Sequence, residues 1–598
     1  MAESPAESSG GLVRLSISSD GQAIDDAIGI DSVEITKRIN RLPTATIHAQ
    51  DGDMADQKFP LSSSDVFKPG AEILIAAGYE QGADDETIFE GVVVSHGISI
   101  TGKNVTRLVV ECRDKAVGMT IGRRNAHYVD LADSDIISKL VGDYAGLSVD
   151  VAATTPSHGE LVQYYCTDWD YLMARAEVNG LLVIVEAGKI AVKPPDVSSA
   201  PVLEVAYGAD LMEFHADMDV RSQLSAVTAV AWDPKTQEVV EKEASPSTLN
   251  AQGNLDGATL AGVVGPDSYR LQTSAALDSS TLDAWAKAAQ VKAGLARIQG
   301  RMRFQGSAKA ALGTLIELKG VGERFEGKVF VSALEHRVTG GRWTTEVHFG
   351  MSSHWFTERP DMVAPAAAGW TAGIEGLQIG VVQKLDANPD GEPMIQVSVP
   401  ILEADAPGVW ARLAELHATD GTGAFFVPEI GDEVVLGFLA NDPSHPIVLG
   451  SLYSSKRPPP YELTAENNTK AIVTRSELKL EFDDDKKVVT VSTPGGNTVV
   501  LSDEDESITL EDQNGNKVEL GSSGIKLDSP KDITVSAKGK VSITATTGIE
   551  VGSQADVKVT GLNVNAEAEV GFVGKGNATA EVSSSGQTTV KGTLVMIN

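Results

Sequence analysis

Cysteine is almost missing from these 598 residues: only Cys112 and Cys166 are present. That excludes a disulfide framework and a zinc site built on cysteine. Aromatic residues make up 5% of the chain while glycine reaches 58 residues, a balance that suits short strands and turns better than a helical enzyme. Positive charge is also scarce, with 49 Lys and Arg against 83 Asp and Glu and a net charge of −34. A surface this acidic repels a phosphate backbone, which argues against nucleic acid as a partner. No apolar run approaches the roughly 18 residues that span a bilayer. The opening MAESPAESSGG lacks a basic stretch followed by an apolar one, so no secretory signal is expected. Synthesis in the cytoplasm follows, with any exit from the cell carried by other means. HExxH, GxxxxGK[ST] and G-x-S-x-G are all absent, and the sequence gives no catalytic, cofactor-binding or metal-ligating residue.

What is present is turn-punctuated β pattern. In 421–453, apolar runs at Ala424–Val427, Glu433–Leu439 and Pro446–Leu452 are separated by turn chemistry at Pro428, Gly431-Asp432 and Asn441-Asp442-Pro443. Upstream, 380–402 reads as two more strands around Asn-Pro-Asp-Gly. Five short strands in so small a span predict a closed OB-type barrel. Asp386, Asn388, Asp390 and Gly391 imitate the first half of a calcium loop. The pattern needs a glutamate where Val397 stands, so a hairpin turn is the reading.

PEIGDEV followed by GFLANDPSHPIVLGSLY closely resembles the OB domain of VgrG-type spikes, trimeric proteins of type VI secretion and extracellular contractile injection particles, related to phage tail hub and spike proteins. The motif residues are Pro428, Gly431, Asp432, Pro443, Gly450 and Leu452. GYE with IFEGVVVS is similar to a hairpin in the hub-like region of the same family.

The remaining chain is read in that light. A flexible lead is expected at 1–11, and a β-barrel hub region with a few helices at 12–363. A linker (364–373), the OB barrel (374–455), a stiff KRPPP-containing connector (456–470) and a needle (471–598) follow. One helix is expected to be capped by Asp133 or Ser134 and ended near Gly146, with Ile136, Ile137, Leu140, Val141 and Tyr144 on one face. A second starts at Thr167, and a third covers Thr281–Ile298. Trp169 and Tyr171 read as core, and His336 and His348 as structural.

The needle rests on arithmetic. The pairs Ile525/Leu527, Ile533/Val535, Val541/Ile543, Ile549/Val551 and Val557/Val559 recur every eight residues. Ile508/Leu510 and Val518/Leu520 precede them with looser spacing. Two inward apolar residues per eight describe one short strand and a turn. One copy has too little apolar surface to bury on itself, and three copies wrapped on one axis close the sheets and remove their edges. An amyloid-like or single-chain solenoid is the rival on the repeat alone; the resemblance to VgrG-type spikes implies an intertwined triple-stranded β-helix or β-prism, and hence a homotrimer. Asp483–Asp485 and Asp503–Glu506 should then lie at outer turns, screened by water and salt.

The resemblance implies a structural spike that joins inner tube and baseplate to a needle puncturing the target cell envelope. It also implies a PAAR-repeat tip protein seated on Leu594, Val595, Met596, Ile597 and Asn598. The alternatives are a spike with cell-wall-degrading or toxin activity and a trimeric, fibre-like adhesin.

Overall fold

A computed structural model describes residues 3–6, 10–80, 85–102, 105–155, 157–246, 249–402 and 408–597. Parts of the expected lead (1, 2 and 7–9) and Asn598 lie outside the described residues. The chain is mainly β and forms two compact units, Met1–Leu452 and Tyr453–Asn598. No helix among the described residues is long and apolar enough to cross a membrane.

In the first unit the N-terminal strands and the segment after residue 297 belong to one 13-stranded sheet. The join is Ile30–Arg38 against Gly327–Thr339, antiparallel from Ser32↔Thr339 to Arg38↔Ala333. Alternation along these strands sends Val33, Ile35, Ala45 and Ile47 into one core with Ile73, Ile75 and Phe89. A second core gathers Met302, Phe304, Leu315, Phe330 and Phe349. Glu3 is held to this unit by a bridge to Leu203, its carbonyl accepting from Glu204 N–H at 3.0 Å.

The first two helices share a separate core, placed between these strand blocks in sequence. The helix Asp133–Gly142 buries Ile136, Ile137, Leu140 and Val141, as its 3.6-residue spacing requires. Its N-cap is Ala132, not Asp133 or Ser134. The Asp133 carboxylate is used elsewhere: it accepts from Arg175 at 2.6 and 3.0 Å and from Asn179 at 2.7 Å, and His158 Nε2 lies 3.1 Å away. The helix Asp168–Val178 starts as expected, with Thr167 accepting from Asp170 N–H at 3.0 Å. Trp169 and Tyr171 are core residues. The third expected helix runs Ser279–Leu295 behind an Asp278 cap. It stops short of Ile298, which opens the strand Ile298–Gln305. A short helix, Gly257–Val264, was not anticipated.

His336 lies in the first unit, fully enclosed. Thr345 Oγ1 is 3.0 Å from its Nδ1, and the Trp343 indole N–H donates to that nitrogen at 3.4 Å. Burial, with the Lys37 charge nearby, pushes its pKa down to about 3. In the unfolded chain the ring takes a proton below about pH 6.5, whereas in the folded chain it stays neutral until about 3. Its contribution to stability is therefore complete above pH 6.5 and drains away as pH falls toward 3, at about 1.4 kcal/mol per unit. Denaturant unfolding at pH 7 and pH 5 should show this loss, and His336→Gln should shrink it. Identical pH dependence in the two proteins would rule it out.

The OB barrel closes in the order Gln378–Lys384, Met394–Ser398, Val409–Leu413, Pro446–Leu452, Glu433–Phe438 and back to the first. Val382, Ile395, Val397, Ala411, Val434, Leu436 and Val448 fill it. Val409–Leu413 runs parallel to Pro446–Leu452, and the other neighbours are antiparallel. Ala424–Val427 is not one of its strands. Phe425 and Phe426 stand in solvent on the long connection, and the third strand is Val409–Leu413. A Cβ at Gly408 would come within 2.3 Å of the Val397 carbonyl, and its φ is +119°, so only glycine lets that strand enter.

Candidate trimerisation surface

The second unit begins as a seven-stranded antiparallel meander, Thr469–Val473 to Gly524–Asp528, each strand pairing with the next. Its registers stack apolar side chains in two columns. Leu480, Val491, Val499, Leu510, Val518 and Leu527 face each other across successive strands, as do Phe482, Val489, Leu501, Ile508, Leu520 and Ile525. Between the columns, pointing to the opposite face, run Glu481, Thr490, Val500, Thr509, Glu519 and Lys526. Period-2 alternation thus builds a sheet with one apolar face, which the chain leaves open: Val491, Leu501, Ile508 and Leu510 are 40–45% exposed, and Ile525 74%.

Two of the turns are built around acidic runs. Asp483 accepts from the backbone N–H groups of Asp485 and Lys486, both at 3.1 Å. Ser502 and Asp505 bond reciprocally at 2.9 and 3.0 Å. Asp484, Asp485 and Asp503 to Glu506 all lie exposed at turns, where water screens them.

Beyond Asp528 the chain has no strand partner of its own among the described residues. It bends at 530–531, 538–539, 546–547 and 554–555, every eight residues. Between the bends Ile533, Val541, Ile549 and Val557 are 52–58% exposed, and Val535, Ile543, Val551 and Val559 are 71–74% exposed. Each octad therefore presents one half-sheltered and one open aliphatic side chain. Covering such a row on another surface gains about 25 cal/mol per Å² of apolar area. Leu594, Val595, Met596 and Ile597 are exposed as well.

The barrel motif residues hold its turns and edges. The Gly431 N–H donates to the Val382 carbonyl at 2.8 Å with φ at +84°, and the Asp432 carboxylate accepts from Glu429 N–H at 2.8 Å. Pro428 is buried beside them. Pro443 follows Asp442, whose carboxylate accepts from Ser444 N–H at 2.9 Å. Gly450 and Leu452 pair with Val435 and Glu433. At the calcium-like stretch the Asn388 side chain instead accepts from the Asp390 and Glu392 N–H groups at 3.0 and 3.2 Å, closing a hairpin turn.

One polar group in the first unit went unread in the sequence. Glu335, Glu346 and His348 bring their ligand atoms within 4.8 Å of one another, because Glu335 and Glu346 are opposite residues of one ladder. Both carboxylates already have guanidinium partners, Arg38 at 2.7 Å and Arg303 at 3.0 Å. Burial and the Arg38 charge hold the His348 pKa below its ordinary value. The arrangement is an ion network on the sheet, with His348 Nε2 3.4 Å from the Glu346 carboxylate.

Three family models match the chain. Residues 9–340 match the Alg8 N-terminal domain. Residues 378–453 match the type VI secretion system/phage-baseplate injector OB domain, and residues 488–569 the phage baseplate V C-terminal trimerisation domain. Among curated proteins, the type VI secretion system spike protein VgrG4b of Pseudomonas aeruginosa is 40% identical over 68 residues, 11% of this chain and 8% of that protein. The actin cross-linking toxin VgrG1 of Vibrio cholerae is 38% identical over 64 residues, 11% and 6%. The chain therefore spans less than a tenth of the length of either relative. Of solved structures, the 43 kDa tail protein of prophage MuSo2 from Shewanella oneidensis overlaps 57% of this chain and 98% of its own (TM-score 0.43, 10% identity). The Francisella PdpA–VgrG complex overlaps 86% and 88% (TM-score 0.37, 10% identity). The resemblance to VgrG-type spikes carried by PEIGDEV and GFLANDPSHPIVLGSLY is met by the injector OB domain and the VgrG matches.

Proposed function

We propose, from the premise that the chain belongs to the Alg8 N-terminal domain family, that three copies form the central structural spike of a contractile injection system. One observation carries this reading: the second unit offers an apolar sheet face and a row of octads that its own chain does not cover. The matches to an injector OB domain and a trimerisation domain support it. In this reading residues 12–363 form a hub seated on the inner tube and baseplate. Residues 364–373 link it to the OB barrel of 374–455, and 456–470 lead into the needle of 471–598. Ile525, Leu527, Ile533, Val535, Val541, Ile543, Ile549, Val551, Val557 and Val559 fill the shared core. The barrel motif residues hold turns and trimer contacts.

The role is mechanical. Contraction drives the needle through a target envelope, and no reaction is assigned to this chain. The particle carries the spike out of the cell that makes it. A PAAR-repeat tip protein docks on the exposed Leu594, Val595, Met596 and Ile597, together with Asn598.

Light scattering on the purified protein should give a mass near 188 kDa, three times the 62.8 kDa chain. A monomer would overturn the reading. Deleting residues 595–598 should leave that mass tripled while abolishing capture of a PAAR-repeat protein. Retained capture would place the tip site elsewhere.

A further inference from the structure

The octads do not end at Val559. Backbone bends continue at 562, 569–570, 577–578, 585–586 and 593–594. In every earlier unit the bend falls five and six residues after the first member of the apolar pair: Ile533 precedes 538–539, and Val541 precedes 546–547. Applied to the later bends, this spacing places inward pairs at Val564/Ala566, Phe572/Gly574, Ala580/Val582 and Thr588/Val590. The step from Val557 to Val564 is seven residues, and every other step is eight.

Side-chain chemistry agrees with this shifted phase and not with an unbroken count of eight. An unbroken count would turn inward Asn565/Glu567, Val573/Lys575, Glu581/Ser583 and Thr589/Lys591. Three charged side chains meeting around an axis at each such level would be buried without partners, which strongly disfavours assembly. Exposure agrees at two of the four levels: Val564 is 59% exposed, close to the 52–58% of the first members upstream, and Val590 is 72% exposed, within the 71–74% of the second members. Phe572 and Val582 are more open, at 74% and 85%, and Val570 and Val573, outward in the shifted phase, are 101% and 89% exposed.

From these observations we infer that the three-chain interface continues through residues 564–590 with a one-residue phase slip at 557–564, its occupant being two further copies of this chain. This rests on the proposed trimer and goes beyond it by fixing which side chains meet. The layers also change in kind across the slip. Aliphatic pairs give way to one large residue beside none, as in Phe572/Gly574, or to small ones, as in Ala580/Val582. Less inward volume per layer gives the distal segment a thinner core, where chains approach closely at glycine and alanine.

Single cysteines report the phase. The native Cys112 and Cys166 are buried and serve as background. In variants that light scattering shows to be trimeric, Val564→Cys, Val582→Cys and Val590→Cys should react with a maleimide about tenfold more slowly than Asn565→Cys, Ser583→Cys and Lys591→Cys. Reversed or equal rates in a trimer would overturn the slip and leave the spike reading standing. A monomeric parent protein would instead overturn the spike reading. If the cysteine variants fail to assemble, thermal unfolding decides. Val582→Ala should lower the midpoint by about 3 °C or more and Val573→Ala by less than about 1 °C, and the opposite order would overturn the slip.

Discussion

Val541→Asp is expected to abolish the trimer. Val541 sits in the middle of the regular octads and is 52% exposed in the single chain. In a threefold arrangement its three copies occupy one level of the shared core. Three carboxylates there have no cation to pair with, since the neighbouring inward residues Ile533, Val535, Ile543 and Ile549 are all aliphatic. Desolvating each unpaired charge costs on the order of 3 kcal/mol or more, and the like charges repel, so the penalty approaches the whole stability of an ordinary domain. Light scattering should show chains of one-third the parent mass. Thr544→Asp, one residue beyond the inward Ile543, should leave the mass unchanged because its carboxylate stays in water. A trimeric Val541→Asp protein at neutral pH would show that this row does not face the axis.

The second large effect lies in the helical core of the first unit. Asp133 is 1% exposed in its side chain and Arg175 18%. Burial alone would raise the aspartate pKa. The hydrogen bonds and charge of Arg175, with Asn179 and His158, outweigh it and hold the group below its ordinary value. Arg175→Met removes the cation and leaves a buried carboxylate with neutral donors, at a cost of about 3–5 kcal/mol and a midpoint lowered by about 10 °C. The double variant Arg175→Met with Asp133→Leu should recover most of that loss, because a packed apolar pair replaces a stranded charge. Failure of the double variant to recover would mean that the carboxylate does more than pair. A depressed aspartate pKa stabilises the fold above the unfolded value near 3.9 and stops doing so as pH falls through the folded one. Arg175→Met should therefore flatten the acid limb below about pH 4. The His336 loss, which begins near pH 6.5, should remain.

Much of this was legible in the sequence because the signals are local. Turn residues and period-2 alternation gave four of the five barrel strands, since Gly431-Asp432 and Asn441-Asp442-Pro443 punctuate the chain wherever it folds. The remaining strand was misplaced for an equally physical reason. Val409–Leu413 buries only Ala411 fully, whereas Phe425-Phe426 looks like core but is left in water on a connection. What makes Val409–Leu413 a strand is its parallel pairing with Pro446–Leu452, over thirty residues away. Asp133 shows the same limit. It stands where an N-cap is expected, yet Arg175, 42 residues on, claims its carboxylate.

The period of eight, its aliphatic pairs and the acidic turns upstream of them follow from the order of residues alone, because a strand and its turn are set by side chains a few positions apart. The tertiary structure decided what depends on distant partners or on the path of the backbone. It brought Ile30–Arg38 beside Gly327–Thr339, set Glu335 against Glu346, and placed the bends that carry the count past Val559. Where the pairs thin to Phe572/Gly574 and Thr588/Val590, apolar spacing no longer marks the phase, and the direction each residue faces is fixed by where the chain turns.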